Sequence, residues 1–110
     1  MHPRDQRFEC EFPVEIRLPD GEVWAVIRDV GIGGAQIEGA SGMRTGQGCT
    51  LILEGRRMPA TVAWSRGGRC GVKFQRRLLP EEFDLITGVD AYAQVGGRRQ
   101  SRRFFGSRAA

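Results

Sequence analysis

Phe8-Glu9-Cys10-Glu11-Phe12-Pro13-Val14-Glu15-Ile16-Arg17-Leu18 puts Phe8, Cys10, Phe12, Val14, Ile16 and Leu18 on one parity and mostly charged residues on the other. A period of two sends alternate side chains to opposite faces of an extended chain, so this stretch reads as a half-buried strand. Pro13 falls on the polar parity and has no N–H to give to a ladder, which predicts an edge position or a bulge. Asp20-Gly21 is a hairpin-turn pair, and Glu22 to Val30 reads as the returning strand.

The same grammar continues outward. Gly31 to Gly34 breaks the second strand, Ala35 to Glu38 forms a short third, and a polar, glycine-rich loop runs from Gly39 to Gly48. Thr50 to Leu53 is a fourth strand turned by Glu54-Gly55. Met58, Ala60, Val62 and Trp64 mark a fifth, and Gly67-Gly68 turns it into a sixth at Cys70 to Phe74. Trp24 and Trp64 are both read as apolar-parity residues that pack in the core. After Leu79 the period changes: Pro80 suits a first helical turn, Glu81, Glu82 and Asp84 favour the positive end of the helix dipole, and Phe83, Ile86, Val89 and Ala93 recur at helical spacing. Gly88 costs about 1 kcal/mol against alanine inside a helix and can end it early. The fold class is therefore mainly β: a small six-stranded antiparallel barrel with one C-terminal helix. A barrel is preferred to a sandwich because closure removes the exposed edges of so small a sheet. Arg76-Arg77, after the last strand, reads as a solvated junction that can lie near a ligand mouth.

With 110 residues the chain has room for one domain. Its formal charge is 17 − 13 = +4, yet Arg98, Arg99, Arg102, Arg103 and Arg108 follow Gly96 with no acid among them, leaving 12 − 13 = −1 on residues 1–95. The expected organisation is a linker at 1–7, a barrel and helix at 8–93, and a disordered arginine-rich tail at 94–110. The tail sets basic residues beside Phe104-Phe105, a combination suited to single-stranded nucleic acid, but a solvated tail is the preferred reading and nucleic acid is not the expected partner. No run approaches the roughly 18 apolar residues that cross a bilayer, and the first residues lack a signal peptide's apolar segment, so no membrane insertion and a cytoplasmic location are expected. Cys10, Cys49 and Cys70 form no C-x-x-C pair and read as buried thiols. His2 is the sole histidine and sits at a chain end, so no Ser-His-Asp or Cys-His site is expected; nor are an enzyme, a metal or a cofactor.

Two clusters stand out from this plain scaffold: Arg4-Asp5-Gln6-Arg7 ahead of the first strand, and Asp29-Val30-Gly31-Ile32-Gly33-Gly34 after the second. Singly, arginines near a terminus are usually solvated and an Asp before glycines is usually a turn former. The glycines fail as a dinucleotide fingerprint, since G-x-G-x-x-G counted from Gly31 would need glycine where Gln36 stands. A phosphate loop is excluded because the only lysine, Lys73, follows no such loop.

Together with Ala60-Thr61-Val62-Ala63-Trp64 and Gly71-Val72-Lys73-Phe74, the two clusters resemble the PilZ domain over roughly residues 4 to 93. That family is a six-stranded barrel with a C-terminal helix, and many members bind the bacterial second messenger cyclic di-GMP. The family pattern is R-x-x-x-R ahead of the barrel and D/N-x-S-x-x-G after the second strand. Arg7 matches the second arginine, while Pro3 holds the place of the first and Arg4 comes one residue late; Asp29 and Gly34 match the second motif, with Gly31 in place of its serine. The resemblance implies cyclic di-GMP as ligand, a protein effector as partner, and Arg4, Arg7, Asp29, Gly31, Gly33 and Gly34 as binding residues. The chemistry is apt: an arginine fork binds phosphate or the O6/N7 edge of guanine, and a carboxylate accepts from the N1–H and N2–H edge. A degenerate adaptor that works by protein contact alone is the alternative reading.

Overall fold

The structure is a computed structural model that describes residues 7–88. Arg4, Val89, Ala93 and the tail at 94–110 lie outside the described residues. Six strands follow the predicted order: β1 (Phe8–Leu18), β2 (Gly21–Val30), β3 (Gly34–Glu38), β4 (Gly48–Leu53), β5 (Arg56–Arg66) and β6 (Arg69–Phe74), then one helix, α1 (Pro80–Thr87). All neighbours are antiparallel, and the sheet closes as β1-β2-β3-β6-β5-β4. The barrel is filled by the inward parity of each strand, with Ile16, Ile27, Ile37, Leu51 and Met58 wholly buried.

The turns follow from their residues. Leu18 pairs with Gly21, so the first hairpin turns on Pro19-Asp20, one residue earlier than the sequence reading. Glu54-Gly55 and Gly67-Gly68 link their strands with positive φ at both positions, from 50° to 87°, the conformation whose twist matches a two-residue hairpin. Closure is uneven: β1 meets β4 only through Glu15, Ile16 and Arg17. Pro13 lies in the part of β1 paired by β2 alone, where a missing N–H interrupts no second ladder.

The two tryptophans depart from expectation. On β2 the inward parity belongs to Val23, Ala25 and Ile27, so Trp24 points outward and is 65% exposed. On β5 a register shift lies between Val62 and Trp64, and Trp64 is carried to the outer face. There its indole covers Gly71, whose Cβ position lies against the indole nitrogen, and any side chain at 71 would collide with the ring. Neither tryptophan belongs to the core.

Helix α1 packs on β1 and β2. Phe83 meets Phe8 edge-to-face with ring centroids 5.1 Å apart, and Ile86 is buried. Its N-cap, Leu79, has no capping side chain; instead the Glu82 carboxylate accepts the Leu79 N–H at 2.8 Å. Gly88, in the left-handed conformation, ends the helix by donating its N–H to the Asp84 carbonyl at 2.8 Å.

Candidate functional site

A bulge on β2 makes the site. Ile27 pairs with Ile37 and Asp29 with Gln36, so Arg28 is supernumerary against β3; against β1 the register also shifts, between Glu9 and Phe12. Unbroken alternation after Val23, Ala25 and Ile27 would drive Asp29 into the core. The extra residue instead turns Asp29 outward and lets Val30 fill the interior. Arg28 itself lies outside between Glu11 at 3.2 Å and Glu38 at 3.3 Å.

Outward-turned Asp29 meets Arg7, the residue before β1. Arg7 donates Nε–H at 3.0 Å and Nη2–H at 2.6 Å, both to Oδ1 of Asp29. The Asp29 Oδ2 accepts from no described residue. The side chains are 45% and 23% exposed, and a solvated pair of this kind contributes at most about 1 kcal/mol, so its partners can exchange.

Beside this pair the chain doubles back through Gly31–Gly34, closed by a Gly31 N–H to Gly34 carbonyl bond of 2.9 Å. The two last glycines differ. A Cβ on Gly34 would stand 2.5 Å from the Val72 carbonyl, so its bareness lets β3 close on β6; around Gly33 there is open space. The loop is tied down at two carbonyls: Gly33 accepts from the Phe74 N–H at 2.8 Å and Ile32 from the Leu78 N–H at 3.0 Å. The end of β6 and the connector 75–79 thus form the other wall of the site.

The connector is more than a solvated junction, contrary to the sequence reading of Arg76. Arg76 grips Glu82 with both η nitrogens, at 2.9 and 2.8 Å, although Glu82 is only 1% exposed. Arg76, then the Leu79 N–H and the Arg56 charge, hold the Glu82 carboxyl down at about 2 against the opposing effect of burial. No periodicity flagged this pair; the one available signal was a basic residue six places before an acid in a first helical turn. Arg77 is exposed and makes no ion pair among the described residues.

The cysteines offer no nucleophile. Burial, reinforced by the Asp29 charge, pushes the half-buried Cys10 thiol up to about 12, and burial with the neighbouring Cys70 takes Cys49 to about 11. Among the described residues no group of three or more His, Cys, Asp or Glu side chains could hold a metal ion, and no helix is long and apolar enough to cross a membrane. Of the sequence-predicted site residues, the fold brings together Arg7, Asp29, Gly31, Gly33 and Gly34; Arg4 falls outside the described residues.

Comparison with known proteins bears on the family and the fold. A family model described as the PilZ domain matches residues 2–88. The crystal structure of the PilZ domain of CeSA from a cellulose-synthesizing bacterium superposes with a TM-score of 0.56 at 23% identity, covering 84% of this chain and 96% of that one. The structure of the Bacillus subtilis inhibitor of motility (MotI/DgrA) gives a TM-score of 0.60 at 16% identity, covering 90% of this chain but only 54% of that one. No curated protein matches the chain.

Proposed function

This chain belongs to the PilZ domain family, and from that membership we propose that it is a cyclic di-GMP receptor whose ligand site is formed by Arg7, Asp29 and the Gly31–Gly34 loop, with Arg4 joining from the linker. The observation that supports this most is the Arg7–Asp29 pair, turned outward beside the glycine loop by the Arg28 bulge. The two side chains suit the two halves of such a ligand. The Arg7 fork can leave Asp29 for a phosphate or for guanine O6 and N7, and Asp29 can accept from guanine N1–H and N2–H, which adenine cannot supply together. The open space at Gly33 admits a ligand against the backbone.

The role is binding, and the output is a surface. Fixing each linker residue costs roughly 1–2 kcal/mol of backbone entropy, which contacts with the ligand would offset. The ordered linker would then present a new face to a protein effector in the bacterial cytoplasm, where the messenger is found. Titration calorimetry tests the reading: cyclic di-GMP gives a saturable heat at micromolar concentration, Arg7→Ala removes it, and Arg98→Ala in the tail leaves it intact. Absence of both heat and competition overturns it.

A second reading, the nucleotide-free adaptor, is favoured by the departures from the family motif: Pro3 and Gly31 occupy the positions of an arginine and a serine. Creation of binding from none by the double substitution Pro3→Arg, Gly31→Ser would select it.

A further inference from the structure

Resting on the cyclic di-GMP reading, we propose that Lys73 and Arg77 are two further phosphate-binding residues of the same site, flanking the glycine loop and supplying the charge that Arg7 lacks. A cyclic dinucleotide carries two phosphate charges. The Arg7–Asp29 pair is neutral as a unit, so on its own it cannot balance them.

The cations of the barrel divide sharply. Arg17, Arg28, Arg56, Arg69 and Arg76 each face a carboxylate. Arg44, Arg57, Arg66, Lys73 and Arg77 face none among the described residues. Of these, only Lys73 and Arg77 are tied by the main chain to the loop. Lys73 is the register partner of Gly34, and the next residue, Phe74, donates its N–H to the Gly33 carbonyl. Arg77 repeats the arrangement, since the next residue, Leu78, donates its N–H to the Ile32 carbonyl. Phe74 and Leu78 are buried and Lys73 and Arg77 are exposed, so each anchor points inward and each cation outward.

Arg76 cannot take this role, because both of its η nitrogens are bound to Glu82. Its grip has the opposite use: it fixes the connector through which Arg77 reaches the loop, and Arg76 Nη1 also donates to the Arg77 carbonyl at 3.1 Å. The two cations differ in chemistry. Lys73 offers a point charge with rotatable donors, and Arg77 a planar fork that can take two phosphate oxygens.

The test is calorimetry with cyclic di-GMP on the full chain carrying Lys73→Gln, Arg77→Gln, both together, Lys73→Arg, or Arg57→Gln as an exposed cation away from the loop. Each glutamine variant at the loop should weaken binding by roughly five- to tenfold, the double variant by about the product, and Lys73→Arg by less than about threefold. Melting temperatures should stay at the wild-type value, and Arg57→Gln should bind like wild type. If the wild type binds and the loop variants behave like Arg57→Gln, this assignment fails and the cyclic di-GMP reading stands. If losses of affinity come only with lowered melting temperatures, the assignment also fails. If the wild type does not bind, both fail together.

Discussion

Gly33 and Gly34 are chemically identical neighbours with opposite tolerances. A Cβ at Gly34 meets the Val72 carbonyl at 2.5 Å, whereas nothing lies within 4 Å of one at Gly33. Gly34→Ala should therefore cost about 1–3 kcal/mol, the usual penalty of forcing atoms into a closed contact, and Gly33→Ala less than about 0.5 kcal/mol. Urea unfolding of the two variants checks this, and equal losses would contradict it. The spacing of Asp29 and Gly34 was legible in the sequence, but the need for a bare Gly34 was not, because the atom it avoids belongs to a strand far along the chain. The tryptophans mark a second limit. Their apparent apolar parity argued for the core, yet Trp24 shares its parity with Glu22 and Arg28, and the shift at Ala63 sends Trp64 outside onto Gly71. A bulge leaves almost no trace in composition, and a single extra residue reverses every assignment beyond it. The same device at Arg28 gave Asp29 its outward position, so the kind of feature that spoiled one prediction shaped the candidate site.

At the level of elements, the start of α1 at Pro80 was legible and its inward residues Phe83 and Ile86 were correctly spaced, while the periodicity ran on to Val89 and Ala93 and only the cost of Gly88 pointed to the end the helix takes there. The part played by Glu82 was not. Read as a partner of the helix dipole, it is instead a buried anchor that joins the helix start, the connector and Arg56 of β5. Only the closed barrel brings Arg56 there. Because the carboxyl is held at about 2 in the fold against an ordinary 4.5, the folded state binds fewer protons than the unfolded chain between those values. The stabilisation is therefore complete above the ordinary value and disappears as pH falls through 4.5 toward 2. Urea unfolding at a series of pH values should show Glu82→Gln less stable than wild type by about 1–3 kcal/mol at neutral pH, with the difference shrinking on acidification. A difference independent of pH would show that packing, and not charge, is what the substitution removes.

Across the whole molecule, the near-neutral average conceals two poles. Residues 8–30 hold six carboxylates against two arginines, 2 − 6 = −4, while residues 56–77 hold seven cations and no acid. The strand order seats β1-β2 and β6-β5 on opposite sides of the barrel, separated by β3 on one flank and β4 on the other. Barrel class and strand count could be read from alternation and glycine turns, but this polarity could not, since it depends on which strands become neighbours. Three of these seven, Arg56, Arg69 and Arg76, face carboxylates of Glu81, Glu38 and Glu82, so the unbalanced charge of this wall is Arg57, Arg66, Lys73 and Arg77, and under the cyclic di-GMP reading it would steer the anionic ligand. Stopped-flow measurements should find the association rate of cyclic di-GMP falling several-fold between low and physiological salt, with the dissociation rate changing little. A salt effect confined to dissociation would argue against steering.

Lys73 stands on the outer face of β6 opposite Gly34, and it is the sole lysine in the sequence. Chemistry directed at side-chain amines can therefore reach this protein at one place alone. An acyl group delivered there by an acetyltransferase would remove one positive charge beside the loop and leave the barrel interior untouched. One covalent event would so bear on the site without bearing on the fold.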